Sequence, residues 1–216
     1  MRCVVIIPAY NEEKTIAEVV VAAAACPLVA EVVVVSDGSR DNTAVIAATA
    51  GATVVDLTTN RGKGGAMQAG VTEVPGDVYL FLDGDLLGLT PLHVAALLQP
   101  IVEGEYEATL GIFGNGRLAT DLAQKIAPFL SGQRAITARL LAQIPDFSAT
   151  GWGVEVLLTQ HLQTAKIPVA HVPLVDVTHV MKEEKRGLMS GALSRLRMYW
   201  HILKALGRAR RPNCDR

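Results

Sequence analysis

The 216-residue chain carries 20 basic and 21 acidic side chains, a formal charge of −1, and is half hydrophobic yet only 5% aromatic. Balanced charge argues against a general nucleic-acid-binding field, and the surplus of Val, Ala and Leu excludes disorder in favour of parallel strands covered by helices on both faces. The length suits a single domain over residues 1–187, with a basic tail, 188–216, belonging to the same unit. Cys3, Cys26 and Cys214 are an odd set with neither disulfide nor metal spacing, which favours a reducing cytoplasm. The apolar opening stops at Pro8, too short for a signal-peptide core, and no apolar run approaches membrane-spanning length.

A βαβ rhythm fills the first half. Residues 2–7 form a continuous apolar strand, and 11–25 read as a helix opened by Asn11 with Glu12 and Glu13 in its first turn. A strand at 31–35 follows, then a helix at 41–50, a short strand at 53–56, a helix at 64–71 and a buried strand at 78–82 that ends at Asp83. Strands separated by single helices imply parallel crossovers. The polar residues Asn11 and Glu12, Asp37 and Ser39, Arg61 and Lys63, and Asp83 and Asp85 then all follow strand C-termini, the edge where open α/β sheets bind ligands. The second half is less regular: a helix at 90–102, a strand at 107–113, a flexible break at 114–117, and helices at 118–130 and 155–162. The stretch 167–180 contains Pro168 and Pro173, which predicts an edge or bulged strand.

Two motifs carry chemistry on their own residues. In Asp83-Gly84-Asp85 both carboxylates lie on one side of an extended backbone, and Gly84 permits close approach of a ligand, an oxygen-rich arrangement suited to Mg²⁺ or Mn²⁺. The same tripeptide alone is equally a solvated turn. Gly62-Lys63-Gly64-Gly65 opens a helix after a strand, where free N–H groups and a mobile Lys63 ammonium would attract an anion such as a diphosphate. It lacks P-loop spacing, and no Gly-x-Gly-x-x-Gly follows the first strand, so a dinucleotide site is not indicated.

Taken in register, Pro8-Ala9-Tyr10-Asn11-Glu12-Glu13, Ser36-Asp37-Gly38-Ser39-Arg40-Asp41-Asn42-Thr43, Asn60-Arg61-Gly62-Lys63-Gly64-Gly65 and Asp83-Gly84-Asp85 resemble the family 2 glycosyltransferases of GT-A fold. Ser131-Gly132-Gln133-Arg134-Ala135 and Gly151-Trp152-Gly153-Val154-Glu155 look, more loosely, like acceptor-side segments of polyprenyl-phosphate sugar transferases and of glucosyl-phosphoglycerate synthases. The resemblance implies a single-domain α/β protein with a mostly parallel mixed sheet flanked by helices, and a nucleotide-sugar donor, UDP-sugar before GDP-sugar.

It also implies roles. Pro8, Ala9, Tyr10 and Glu12 shape the base and ribose loop, and Asp37 accepts a hydrogen bond from a base N–H, although Asp-Gly-Ser is also turn or cap chemistry. Gly62 and Lys63 hold the diphosphate. Asp83, Gly84 and Asp85 carry the cation, joined by the late histidine His179, a residue type that at a strand end is as readily structural. Glu155 stands where such enzymes place an acidic residue that activates a hydroxyl, unless it simply opens its helix. Arg134 or Arg117 would orient a phosphorylated acceptor. Lys182 and Arg186 belong to a charged loop readable as a solvated face or as a lid.

Between residues 192 and 206 apolar and basic positions recur on two helical faces, a terminal basic helix that either packs on the sheet or lies on a membrane surface. The expectation is therefore a Mg²⁺- or Mn²⁺-dependent transfer of a sugar, glucose from UDP-glucose foremost, to a small phosphorylated or carboxylated metabolite or to a polyprenyl phosphate. It would take place in the cytoplasm, with peripheral contact at the inner membrane face and a homodimer both compatible. A sugar-phosphate nucleotidyltransferase and a non-catalytic nucleotide-sugar-binding protein are the rival classes, and the former should carry a Gly-rich, Arg-containing loop where Pro8-Ala9-Tyr10-Asn11 stands.

Overall fold

A computed structural model describes residues 1–113 and 131–180. The expected break at 114–117, the helix at 118–130, Arg117, the loop of Lys182 and Arg186, the basic helix at 192–206 and the boundary at 187 lie outside the described residues.

The strands are β1 (Cys3–Ala9), β2 (Val29–Asp37), β3 (Thr53–Leu57), β4 (Val78–Phe81), β5 (Leu86–Leu87), β6 (Ala108–Phe113), β7 (Arg134–Thr137), β8 (Val169–Leu174) and β9 (Thr178–His179). The helices are α1 (Ile16–Ala24), α2 (Thr43–Thr49), α3 (Gly62–Glu73), α4 (Pro91–Val102), α5 (Ala138–Leu141) and α6 (Val154–Thr164), the last entered through a 3₁₀ turn at Ser148–Gly153. Seven strands form one sheet in the order β3-β2-β1-β4-β7-β6-β8, while β5 and β9 form a separate two-stranded ribbon. Strands β1 to β4 run parallel to one another, β7 is antiparallel to both β4 and β6, and β8 is parallel to β6. The mostly parallel mixed sheet is thus present, and β8 is an edge strand holding Pro173, where a missing N–H does least harm.

Strand alternation divides the core between two faces. Val5, Ile7, Val34 and Leu80 pack toward Ile16, Val19 and Val20 of α1 and Leu97, Leu98 and Ile101 of α4. Val4, Ile6, Val33, Val35, Tyr79 and Phe81 pack toward Ala66 and Met67 of α3 and Leu158 and Leu162 of α6. Each such side chain contributes about 1.5–3 kcal/mol of burial, which holds the sheet edge that displays the polar loops.

One helix boundary differs from expectation. α1 begins at Ile16, not Asn11. Asn11 adopts φ 56°, outside helical space, and its side-chain oxygen accepts the Arg40 N–H at 2.8 Å. Glu13 accepts from the backbone N–H of Asn42, and the Glu12 N–H donates to Thr43 Oγ1 at 2.8 Å. The loop after β1 is therefore pinned to the loop after β2, so Glu12 and Glu13 are loop residues, not first-turn charges. Thr15 precedes the helix and donates its hydroxyl to the Gly84 carbonyl at 2.7 Å, tying α1 to the Asp-Gly-Asp loop. No helix among the described residues is long and apolar enough to cross a membrane.

Candidate active site

Parallel β1, β2 and β4 end on the same sheet edge, and their following loops converge there. Asp83 and Asp85 leave β4 on either side of Gly84. Gly84 packs beside the loop after β1: a Cβ there would lie 3.4 Å from Ala9 Cβ and 3.5 Å from Glu12 Cγ, in ordinary contact. The pairing of β5 with β9 sets Leu86 opposite His179, and this ribbon brings the histidine beside Asp85. His179 Nδ1 lies 3.2 Å from Asp85 Oδ1 and 4.0 Å from Asp83 Oδ2, and the ligand atoms of all three residues fall within 4.8 Å of one another. Phe113 meets the imidazole edge-to-face, with centroids 4.8 Å apart, which fixes the ring plane.

Lys63, in the first turn of α3, reaches the same place. Its Nζ lies 2.5 Å from Asp83 Oδ1 and 2.6 Å from Glu155 Oε1 of α6. Burial alone would lower its pKa, but the two carboxylates outweigh that and raise it, so the ammonium stays charged. Burial would likewise raise the Asp83 carboxyl, yet Lys63, His179 and the hydrogen bonds from Lys63 and Gln133 pull it down to about 2. For His179, burial favours the neutral ring, while Asp85 and Asp83 prevail and raise its pKa. Lys63 is accordingly a clamped side chain shared by two acids, a correction to the mobile ammonium expected from Gly-Lys-Gly.

Asp37 ends β2 at 4% exposure, and its Oδ1 accepts the Arg61 N–H at 2.6 Å, while the neighbouring Gly62 N–H donates to Asn60 Oδ1 at 3.2 Å. Burial pushes its pKa up, opposed by the nearby Arg61 and Gly62 backbone. The N-terminus of α3 therefore already has an anion, Asp37, against the N–H groups that its sequence offered to a phosphate. Pro8 and Ala9 close β1, and Tyr10 and Glu12 follow half-buried in the pinned loop.

Arg134 departs from its expected role. Its guanidinium is 2% exposed and turned to the chain itself, donating to the Ser131 carbonyl at 2.6 Å, Thr159 Oγ1 at 3.3 Å and the Glu155 carbonyl at 3.4 Å. Burial lowers its pKa to about 10, with Glu155 and Asp83 opposing. Enclosed in this way, Arg134 braces Glu155 and the loop before β7 and presents no fork to an acceptor phosphate. Glu155 does open α6, and the same placement turns it to Lys63.

Sequence reasoning marked the segment holding Gly132 and Gln133 without assigning either to the site. Gln133 is wholly buried and donates Nε2 to Asp83 Oδ2 at 2.9 Å, while a Cβ on Gly132 would come within 2.7 Å of both Asp83 oxygens. The available signal was a Gly-Gln-Arg run entering the apolar Ala135-Ile136, because polar residues at the start of a buried strand need buried partners. A groove of about 530 Å³ lies along α3, lined by Val55, Leu57, Gln68 and Thr72 among others, and includes none of the Asp-Asp-His cluster. The convergence of chemistry, rather than this concavity, locates the site.

An α/β sheet whose strand ends gather two aspartates, a histidine and a clamped lysine defines a nucleotide-sugar transferase fold of the GT-A type. Residues 4–160 match the model of glycosyl transferase family 2, and the chain belongs to that family. It is 30% identical over 189 residues to the glucosyl-3-phosphoglycerate synthase of Mycobacterium tuberculosis, covering 70% of this chain and 58% of that protein. It is 32% identical over 186 residues to the synthase of Mycolicibacterium smegmatis, covering 70% and 61%. The chain thus spans about three-fifths of the length of these relatives. The crystal structure of the M. tuberculosis synthase with Mn²⁺, UDP-glucose and phosphoglyceric acid superposes with TM-score 0.73 at 29% identity, covering 95% of this chain and 80% of that one. An undecaprenyl-phosphate 4-deoxy-4-formamido-L-arabinose transferase of Pseudomonas fluorescens is 40% identical over 97 residues, covering 40% of this chain and 28% of that protein.

Proposed function

We propose that this protein transfers glucose from UDP-glucose to a small phosphorylated carboxylic acid of the phosphoglycerate type, with Mg²⁺ or Mn²⁺ held by Asp85, His179 and Asp83. The observation that carries the reading is the convergence of ligand atoms in the cluster. Asp83, Asp85 and His179 bring two carboxylates and an imidazole to one point, their ligand atoms all within 4.8 Å of one another, which is a ligand set of the kind Mg²⁺ and Mn²⁺ accept. When bound, such a cation supplies Lewis-acid stabilisation of a departing diphosphate.

The chain's own residues do the rest. Asp37, buried at the end of β2, reads a base N–H, and Pro8, Ala9, Tyr10 and Glu12 line the base and ribose. Lys63 meets the diphosphate from the first turn of α3, exchanging part of its contact with Asp83. Glu155 faces the acceptor hydroxyl while Arg134 holds its helix in place. The similarity to the synthases, whose structure includes UDP-glucose and phosphoglyceric acid, supports both substrates. The match to the undecaprenyl-phosphate transferase favours a lipid-phosphate acceptor as a second reading, with peripheral membrane contact through the basic tail. A cytoplasmic setting accords with Cys3 and Cys26, both free thiols.

The test is nucleotide release by the purified chain from UDP-glucose, GDP-glucose and ADP-glucose, with 3-phosphoglycerate or undecaprenyl phosphate as acceptor, in Mn²⁺ and in EDTA. The reading expects Mn²⁺-dependent release of UDP stimulated by 3-phosphoglycerate. Release that persists in EDTA refutes the cation's role, and stimulation by the lipid alone transfers the conclusion to the second acceptor.

A further inference from the structure

Gln133 has no part in the donor or acceptor roles above, yet its buried amide is built into the cation cluster. We propose that Gln133 is a positioning residue that fixes the Asp83 carboxylate for cation binding, an inference that rests on Asp83, Asp85 and His179 being the cation's ligands.

The amide is oriented, not merely enclosed. Ser131 donates its hydroxyl to Gln133 Oε1 at 3.1 Å, which leaves Nε2 as the end that faces Asp83 Oδ2 at 2.9 Å. A flipped amide would set an oxygen of the fully buried Gln133 against a carboxylate oxygen, acceptor against acceptor. Lys63 grips the other oxygen, Oδ1. Two donors, one on each oxygen, define the carboxylate plane, and Oδ2 remains the oxygen nearest His179 Nδ1. Gly132 completes the arrangement, since its backbone presses so near Asp83 and Lys63 that any Cβ would meet both side chains. The choice of amide also has an electrostatic logic. A neutral donor orients Asp83 without adding a second cation beside the Lys63 ammonium, whereas a lysine or arginine at 133 would set another positive charge where a metal ion is to bind.

The experiment measures Mn²⁺ affinity of the full chain in saturating UDP, from the electron paramagnetic resonance signal of free Mn²⁺, for the parent, Gln133→Met and Ser131→Ala. Methionine keeps length and packing and removes the donor, and Ser131→Ala removes only the hydroxyl that orients the amide. Loss of a residue that orients a ligand lowers metal affinity by about ten- to a hundredfold, the loss expected for Gln133→Met, with turnover recovering at saturating Mn²⁺. Ser131→Ala should lose affinity in the same direction by more than about twofold. A folded Gln133→Met protein with parental affinity overturns the proposal, as does parental affinity in Ser131→Ala should the methionine variant fail to fold. A parent that takes up no Mn²⁺ with UDP removes the cation reading as well, whereas parental uptake retained in Gln133→Met removes only the role of Gln133.

Discussion

The two flanks of the site are built in opposite ways. On the donor flank, each functional segment is local: a parallel strand ends, a loop turns, and Asp37, Lys63 or Asp83 stands at its tip. On the other flank, the residues that touch Asp83 and Lys63 arrive from far along the chain, Gln133 just before β7, the antiparallel strand inserted between β4 and β6, and Glu155 on α6. Local segments can carry ligand-binding chemistry because strand ends leave their polar groups open. Inserted segments carry orientation, since a buried polar group in the sheet must find a partner already there. The donor flank should therefore respond to substitution in activity, and the inserted flank first in stability and metal affinity.

The sharpest separation comes from Asp85→Asn, which keeps shape and deletes one charge. Transfer should fall by a factor of about a hundred or more with the far-ultraviolet circular dichroism unchanged, as removal of a ligand to a Lewis-acid cation implies. An enzyme with near-normal turnover at saturating Mn²⁺ would dissolve the distinction between the flanks. Asp37→Ala should follow, with calorimetry showing UDP binding weakened by about 1.5–3 kcal/mol, the worth of a hydrogen bond to a charged acceptor. Because Asp37 also holds the Arg61 N–H, part of that loss would appear as fraying of α3, and equal affinity for ADP and UDP would remove Asp37 from base recognition.

On the inserted flank, Glu155→Gln retains an oxygen for Lys63 but not the charge. Urea unfolding should show a loss on the order of 1–2 kcal/mol, a charge-assisted bond reduced to a neutral one, because Asp83 still holds the ammonium. Unchanged stability together with a large fall in turnover would instead make Glu155 a residue of chemistry alone.

How much could be read in advance follows the same division. The parallel half, the edge strand with Pro173 and the Asp-Gly-Asp cation motif were legible, since hydrophobic runs and strand-end polar residues are signals within a few residues of one another. The start of α1 was not. Asn11 looks like a helix cap, but it sits at positive φ with contacts to Ser39 and Arg40, while Glu12 and Glu13 bond to Thr43 and Asp41, and such contacts 28 to 31 residues away leave no local trace. The surroundings of Arg134 were hidden for a related reason: the resemblance gave it, or Arg117, to an acceptor phosphate, and only the tertiary structure reveals the carbonyls of Ser131 and Glu155 around it. β7 itself, four residues long, is too short for periodicity to announce.

The smallest expected effect lies where the flanks meet, at His179, and it can be isolated by pH. In the metal-free protein its pKa is raised, with burial overcome by Asp85 and Asp83. The protonated ring therefore stabilises the fold fully below its ordinary value of 6.5, and that contribution is lost as pH climbs through the raised folded-state value. A cation requires the neutral imidazole, so its affinity must run the other way and improve across the same window. The melting temperature without metal should thus decline from about pH 6 to about pH 8, while Mn²⁺ affinity in the presence of UDP rises. His179→Ala should flatten both slopes and weaken Mn²⁺ binding by about tenfold, less than the effect of Asp85→Asn, because two carboxylates remain. Affinity that does not change with pH in the parent, or a slope that survives in His179→Ala, would make the histidine a structural partner of Asp85 and leave the cation to the two aspartates.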